Sequence, residues 1–163
     1  MENQKVIEAL QKQFPDAILE VTAPLGDDTL LIRKQALGEL VDFLYQKPFE
    51  FTMLLDLTCV DYLGQAPRYQ MVCHLFSLVQ NLRLRIKANV EEPDLAIDSL
   101  TRIWRNANWL EREIYDMFGI SFSGHPDLRR LFMYEGFEGH PLRKDYPLRK
   151  RQPCIPVRQN DDD

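Results

Sequence analysis

The densest group of side chains able to do chemistry lies at Glu111, Arg112, Glu113 and Asp116. Carboxylates this close together include the pair that a glycosidase would need, although spacing alone does not identify such a pair. Arg112 and Asp116 are four residues apart, so they can form an ion pair on one face of a helix. Large aromatic side chains flank the group, and arginine beside aromatics is typical of protein interfaces. We therefore interpret the group as a contact surface and predict no catalytic residue.

The histidines and cysteines are the side chains best suited to bind a metal ion. His125 and His140 each precede a proline, and Cys59, Cys73 and Cys154 are widely separated. Zinc and iron–sulfur sites usually draw on closely spaced ligands, and the sequence has no CxxC or HExxH motif. An odd number of separated cysteines also argues against a disulfide scaffold. We expect no metal site in this chain.

Nucleotide-binding motifs are likewise missing from the sequence. There is no GxGxxG after a predicted strand and no Walker A motif to hold a pyrophosphate. A basic, aromatic-containing C-terminal stretch could suit single-stranded nucleic acid, but the chain as a whole has a formal net charge of -5. We expect no cofactor bound by this chain and no nucleic-acid partner.

Apolar spacing predicts the elements that position these residues. Helices are expected over 3–13 and 35–46, and two short strands over 17–22 and 28–33 lie between them.

Three longer strands follow, over 51–61, 68–78 and 82–88, with a turn at 80–81 between the last two. The third strand alternates strictly, with Leu82, Leu84 and Ile86 on one face and Arg83, Arg85 and Lys87 on the other. One face should therefore pack on a core, while the other meets water or a partner.

Two further helices are predicted after Pro93. A short one is suggested by Ile97, Leu100, Ile103 and Trp104, and a longer one spans about 108–118, where Gly119 suits its C-terminal stop. The expected fold is α+β: a mostly antiparallel or mixed sheet of about five strands in hairpin order, with helices packed on one face.

The composition changes after Ser123. Residues 125–158 hold eight basic and four acidic side chains and five of the ten prolines, whereas the preceding part is acidic. Such a stretch is either disordered or an extended arm on another protein. It also carries many large apolar residues, which favours the docking arm. We predict a globular domain over 1–123 and an extended Pro/Arg-rich docking arm over 124–163.

Apolar runs near 53–60 and 71–79 are too short to span a bilayer. The N-terminus lacks the cationic start and apolar core of a signal peptide, so we expect a chain made and kept in a bacterial cytosol.

Several stretches together resemble one known family, the thirty-kilodalton subunit family of respiratory complex I. The first runs from Glu111 to Ile120 and continues, after Phe122, as Gly124, His125, Pro126, Asp127, Leu128, Arg129 and Arg130. The second runs from Glu138 to Leu148 and contains His140, Arg143 and Lys144. Stretches 57–62 and 74–78 resemble the family's central strands, and the likeness covers roughly 28–150. Phe132 and Phe137 depart from the family pattern, which affects only local packing.

The resemblance implies an assembly role. Members of the family are non-catalytic structural subunits in the peripheral arm of the proton-pumping NADH:quinone oxidoreductase. They lie beside the large (49 kDa-type) quinone-site subunit and cluster-bearing neighbours. FMN, iron–sulfur clusters, NADH and quinone then belong in or at other subunits. Membrane association would be indirect, through the complex, on the cytoplasmic side of the bacterial inner membrane.

The resemblance also suggests which residues form the partner interface. We expect Arg112 to pair with Asp116 or with a partner's carboxylate. Arg129, Arg130, Arg143 and Lys144 would meet acidic or carbonyl groups on the large subunit. Two alternatives remain: an equivalent subunit of a membrane-bound hydrogenase or other-donor dehydrogenase, or a free-standing adaptor or RNA-binding protein.

Overall fold

The computed structural model describes residues 3–153 of the chain. Cys154, Pro156, the acidic Asp161–Asp163 end and the rest of the predicted arm beyond Pro153 lie outside the described residues. The described part contains a five-stranded sheet, a two-stranded sheet and three α-helices.

The larger sheet is built from the five strands expected. They are β1 (Ile18–Thr22), β2 (Thr29–Ile32), β3 (Met53–Asp61), β4 (Tyr69–Ser77) and β5 (Leu82–Val90). Their spatial order is β1-β2-β5-β4-β3. Neighbours pair antiparallel except β2 and β5, which are parallel because the chain crosses over between them. The prediction of a mixed, mostly antiparallel sheet is confirmed.

Three helices supply the other layer of the core. They are α1 (Gln4–Gln13), α2 (Leu37–Tyr45) and α3 (Ala107–Phe118), each within two residues of a predicted helix. Their buried apolar side chains belong to one cluster with the inward residues of the sheet. Leu10 of α1 and Leu40 and Leu44 of α2 are completely buried there. Burying a side chain of this size contributes about 1.5–3 kcal/mol, so the shared core holds the layers together.

Strand β5 shows the predicted alternation. Leu84 and Ile86 are each 1% exposed and belong to the core cluster. Arg83 is exposed, and Arg85 and Lys87 are partly exposed on the opposite face. The sheet therefore has a core face, covered by the helices, and a second face that we call the open face.

The predicted short helix near residue 100 is wrong. Residues Ala96–Asp98 form strand β6, which pairs in parallel with strand β7 (Ser121–Ser123) in a second sheet that we did not predict. The residues between β6 and α3 form turns. Ile97, Leu100 and Trp104 are buried as the pattern implied. Apolar spacing indicates which residues are buried, not their backbone conformation. Ser99 N–H donates to the Ser123 carbonyl of β7 and Leu100 N–H donates to the Glu111 side chain of α3, although Trp104 N–H still donates to the Leu100 carbonyl as in a single helical turn.

Residues 124–153 contain neither helix nor strand. We call them the C-terminal segment. Backbone bonds tie the segment to the body at single points, such as Leu142 N–H donating to the Met117 carbonyl at 3.1 Å. Among the described residues, no helix combines the length and the apolar character needed to cross a membrane.

Candidate partner interface

Asp116, on α3, is the main attachment point of the C-terminal segment. Its carboxylate is completely buried and accepts the backbone N–H groups of Leu131, Phe132 and Met133 at 3.0, 2.7 and 2.9 Å. Arg130 Nη1 donates to the same carboxylate at 2.9 Å. Burial alone would raise the pKa of Asp116, but these donors outweigh it and hold the pKa below its usual value. Asp116 is therefore a buried anion that fixes the start of the segment.

Arg112 lies on the same face of α3 and contacts the same part of the segment. Its Nε and Nη2 atoms donate to the carbonyls of Arg129 and Arg130 at 3.1 and 3.2 Å. Its guanidinium also lies 5.1 Å from the centre of the Trp109 ring. The i, i+4 pair with Asp116 that spacing allows does not form among the described residues, because each partner is engaged by the segment.

Glu111 holds α3 to the turn after β6. Its side chain is completely buried and accepts from Ser99 Oγ at 2.7 Å and from Leu100 N–H at 2.6 Å. The His125 ring, also fully buried, lies with Nε2 4.0 Å from the carboxylate. Burial raises the pKa of Glu111 to about 7, although the two hydrogen bonds act in the opposite direction.

His125 Nδ1 accepts the Asp127 backbone N–H at 3.0 Å. That bond leaves the Nε2 side of the ring directed at Glu111 and at the Asn108 carbonyl, 3.4 Å away. His125 thus anchors the first residues of the segment by packing inside the body, whereas Pro126 stays exposed.

Gly119 ends α3 and lets the segment return against the helix. It has φ +75°, a left-handed value that glycine adopts readily, as predicted for the helix stop. A Cβ atom there would lie 2.5 Å from His140 Nε2 and 2.5 Å from Arg143 Nη2. This close approach lets Arg143 Nε donate to the Phe118 carbonyl at 2.6 Å, with His140 Nδ1 2.9 Å from the Asp116 carbonyl oxygen.

A buried arginine holds the far part of the segment, and sequence reasoning missed it. Arg68 donates through Nε and Nη2 to both oxygens of Asp61 at 3.0 Å. It also reaches Asp145 of the segment at 2.7 Å and Glu92 at 2.6 Å. Hydrogen bonds from Arg68 lower the pKa values of Asp61 and Asp145. No local motif marks Arg68, because two of its three partners, Glu92 and Asp145, are 24 and 77 residues away.

The predicted interface residues divide into two groups. Those that hold the segment on its own domain are Glu111, Arg112, Asp116, Gly119, His125, Leu128, Arg130, His140 and Arg143. Those left on the surface are Glu113, Gly124, Pro126, Asp127, Arg129 and Lys144.

Large apolar side chains share that surface. Trp109, Phe132 and Leu142 are more than half exposed, and Leu148 is 99% exposed. Such residues next to arginine and lysine are chemically suited to binding a protein surface. Among residues 3–153, no cluster of His, Cys, Asp or Glu side chains has a geometry that could hold a metal ion.

Comparison with known proteins gives the same family over most of the chain. The family model described as the respiratory-chain NADH dehydrogenase, 30 Kd subunit, matches residues 30–152. The C subunit of the NADH-quinone oxidoreductase of Geotalea uraniireducens is 46% identical over 147 residues, covering 90% of this chain and 89% of the relative. The protein of the same name from Trichlorobacter lovleyi is 50% identical over 145 residues, covering 88% and 89%.

Solved structures share the fold. The trypsin-resistant fragment (1-134) of Nqo5 superposes with a TM-score of 0.66 at 30% identity, covering 78% of this chain and all of that one. A chain of the membrane-bound sulfane sulfur reductase, an archaeal respiratory membrane complex, has a TM-score of 0.74 at 18% identity, covering 91% and 87%. That second likeness concerns the fold alone. By the extent of the sequence matches, the chain belongs to the family of the 30 kDa subunit of the respiratory-chain NADH dehydrogenase.

Proposed function

We propose that this chain is a non-catalytic structural subunit of the peripheral arm of a proton-pumping NADH:quinone oxidoreductase. It holds the large quinone-site subunit and its cluster-bearing neighbours in place while electrons pass from NADH to quinone. FMN, the iron–sulfur clusters, NADH and quinone are bound in or at those other subunits. Electron transfer is sensitive to distance, so a rigid scaffold contributes without carrying an electron.

The observation that carries the proposal is how the C-terminal segment is held. A stretch without helix or strand is fastened to α3 and the sheet by buried charges: Asp116 at its start and Arg68 at its far part. The segment nevertheless leaves Phe132, Leu142 and Leu148 directed outward. Large exposed apolar groups on a fixed backbone are costly in water and favourable in a protein interface. We assign this surface, with Trp109, to the large subunit, and the assignment extends the docking-arm prediction.

The cations that contact the large subunit are fewer than the sequence alone suggested. Arg130 and Arg143 bind groups within this chain. Within residues 3–153, the Arg129 side chain, which is 72% exposed, pairs only with Asp127 at the surface, and Lys144 is exposed. Arg129 and Lys144 are thus the cations available to carboxylate or carbonyl groups of the partner. In this arrangement the chain is peripheral, on the cytoplasmic side of the inner membrane, and reaches the membrane through the complex.

The test is a tagged pull-down from gently solubilised native membranes, read by mass spectrometry and by NADH:quinone activity. We expect the large subunit, the flavin-binding subunit and the activity to be recovered together. Recovery of the large subunit with a hydrogenase and without NADH activity would place the chain in a sister enzyme. Recovery of the chain alone would contradict the proposal and support a free-standing adaptor or an RNA-binding protein.

A pair of matched variants tests the assigned surface. Leu148→Ser should reduce recovery of the large subunit several-fold without changing the thermal stability of the isolated chain, because this side chain is almost completely exposed. Leu78→Ser is the control, because Leu78 is also exposed. Leu78 directly follows β4, whereas Arg68 directly precedes it, so the two lie about 30 Å apart along the strand. Equal recovery with the two variants would contradict the assignment of this surface.

A further inference from the structure

The open face of the five-stranded sheet carries large apolar side chains outside the core. Phe76 lies between Arg83 and Met53 in one cross-strand row, and Val72 lies next to Lys87 in another. Val72 is only 8% exposed, yet it is not part of the core cluster that the helices cover. A sheet face that meets only water normally carries polar residues at these outward positions.

Cations accompany these apolar residues. Arg83, Arg85 and Lys87 follow one another on the open side of the sheet's central strand, β5. Arg85 is neutralised by Asp27, with Nη2 and Oδ2 3.0 Å apart. Arg83 and Lys87 form no ion pair with any residue between 3 and 153.

The cross-strand neighbours of these two cations explain why they stay unpaired. Arg83 lies opposite Phe76, and its guanidinium is 5.7 Å from the ring centre. Lys87 lies opposite Leu31 on one side and Val72 on the other. The nearest carboxylates of these rows lie farther off: Asp56 is beside His74, and Glu20 is separated from Lys87 by Leu31. Arginine, phenylalanine and methionine are enriched at protein interfaces. An unpaired cation at such an interface is complementary to a carboxylate of the partner.

We propose that the open face is a second docking surface, which binds an acidic segment of another subunit of the same assembly. Carboxylates of that segment pair with Arg83 and Lys87, and its apolar residues cover Phe76 and the neighbouring Met53, which is 39% exposed. The inference rests on the proposed function, since it requires the chain to be part of an assembly. It concerns the face of the sheet opposite to the helices, not the surface formed by α3 and the C-terminal segment.

The first test uses the wild-type assembly purified from native membranes. A zero-length carbodiimide reagent joins lysine amines to carboxylates that touch them, so we expect Lys87 to be cross-linked to an Asp or Glu of another subunit. Lys87 should also be at least five-fold less reactive toward an acetylating reagent in the assembly than in the isolated chain. Full reactivity of Lys87 in the assembly would overturn the proposal.

The second test is the double variant Arg83→Glu/Lys87→Glu, expressed in place of the wild-type chain. We expect at least a ten-fold loss of the cross-linked subunit from the pull-down, while the isolated variant keeps its melting temperature within a few degrees. Lys5→Glu/Lys12→Glu makes the same charge change on exposed positions of α1 and should retain the subunit.

The outcomes separate this proposal from the proposed function. If the wild-type chain recovers no assembly at all, the proposed function fails. If the assembly is recovered equally with both double variants, only the open-face proposal fails. Loss of the cross-linked subunit after ribonuclease treatment of the wild-type assembly would show a nucleic acid on this face and would also overturn it.

Discussion

Two carboxylates on the same helix differ in what surrounds them. Glu111 and Asp116 are both completely buried on α3. Asp116 has three backbone N–H donors and an arginine, and these keep its pKa low. Glu111 has only two hydrogen-bond donors, both neutral, and no cation lies as close to it as Arg130 lies to Asp116. Burial therefore raises the pKa of Glu111 to about 7. The two pKa values differ because desolvation dominates at Glu111, whereas hydrogen bonding dominates at Asp116.

Glu111 should therefore make stability depend on pH near neutrality. Its folded-state pKa of about 7 lies above the ordinary 4.5, so the folded state binds this proton more tightly than the unfolded state. Stability from this group is fully present below about pH 4.5 and is lost as pH rises through 7, by on the order of 3 kcal/mol. Glu111→Gln has no charge, can accept from Leu100 N–H through Oε1 and can donate from Nε2 to Ser99 Oγ in the reverse direction, so its stability relative to wild type should increase over this range.

Urea unfolding of both proteins at about pH 5 and about pH 8 measures this difference. The comparison between variant and wild type cancels the contributions of other groups, such as His140, whose pKa is lowered chiefly by burial. Asp61 and Asp145, whose pKa values are lowered in the folded state, lose their contribution to folding stability only as pH falls below about 4. A stability difference that does not change with pH would show that Glu111 stays ionised.

Gly119 should not tolerate a side chain. Gly119→Ala places a methyl group 2.5 Å from the His140 and Arg143 side chains and forces alanine into a left-handed conformation. We expect a loss of about 2–3 kcal/mol in the free energy of unfolding. Gly136→Ala is the matched control, with φ +88° but nothing within 4 Å of its Cβ position, and should cost only about 1 kcal/mol. Equal losses would show that His140 and Arg143 are not packed against Gly119.

At the scale of elements, the C-terminal segment is held by side chains of the body and not by a backbone ladder. The single carboxylate of Asp116 accepts three backbone N–H groups of the segment, which the carbonyl groups of a neighbouring strand would otherwise accept. Arg68 links the ends of β3 and β4 to the segment through Asp145. The segment can therefore follow an irregular path and still have a defined position, as a surface intended for a partner requires.

The two adjacent arginines of the segment should have separable roles. Arg130→Ala removes a donor to buried Asp116 and to the Gly139 carbonyl, so it should destabilise the isolated chain by about 1–3 kcal/mol and reduce assembly as a consequence. Arg129→Ala should leave stability within about 0.5 kcal/mol and reduce only recovery of the large subunit.

Thermal unfolding of the isolated variants, beside the pull-down from membranes, measures both effects. Normal recovery of the complex with the Arg129→Ala/Arg130→Ala double variant would contradict the role of this pair in assembly.

At the scale of the whole molecule, the described chain combines a ladder-bonded core with a segment attached at a few points. β4 and β5 are paired on both sides, whereas the C-terminal segment has no ladder. An amide in the cooperative core exchanges its hydrogen only when the whole domain unfolds. Amides elsewhere exchange through local openings that cost less free energy.

Hydrogen exchange of the isolated chain should follow this division. Amides of β4 and β5 should be the slowest, and most amides of 124–153 should exchange at least 100-fold faster. The amides of Leu131, Phe132 and Met133 should be protected relative to the rest of the segment, because they donate to Asp116. Asp116→Asn should remove that protection; protection that survives would show that Asp116 does not hold the segment.

The sequence by itself determined the elements whose signals are local. Strict alternation identified the two faces of β5, apolar spacing identified the three helices, and Gly119 marked the end of α3. The long motif around Glu111–Arg130 indicated the family, which the family model and the relatives confirm. These features are predictable because each depends on residues close together in the chain.

Only the tertiary structure decided how distant residues are combined. Burial of Ile97 and Leu100 was predictable, but the choice of strand β6 over a helix depended on β7, more than twenty residues away. Asp116 is bound by residues 130–133, and Arg68 by Asp61, Glu92 and Asp145, so spacing within one element could not distinguish an internal anchor from a surface charge. A charge's role depends on what desolvates it and what donates to it, and long-range packing sets both.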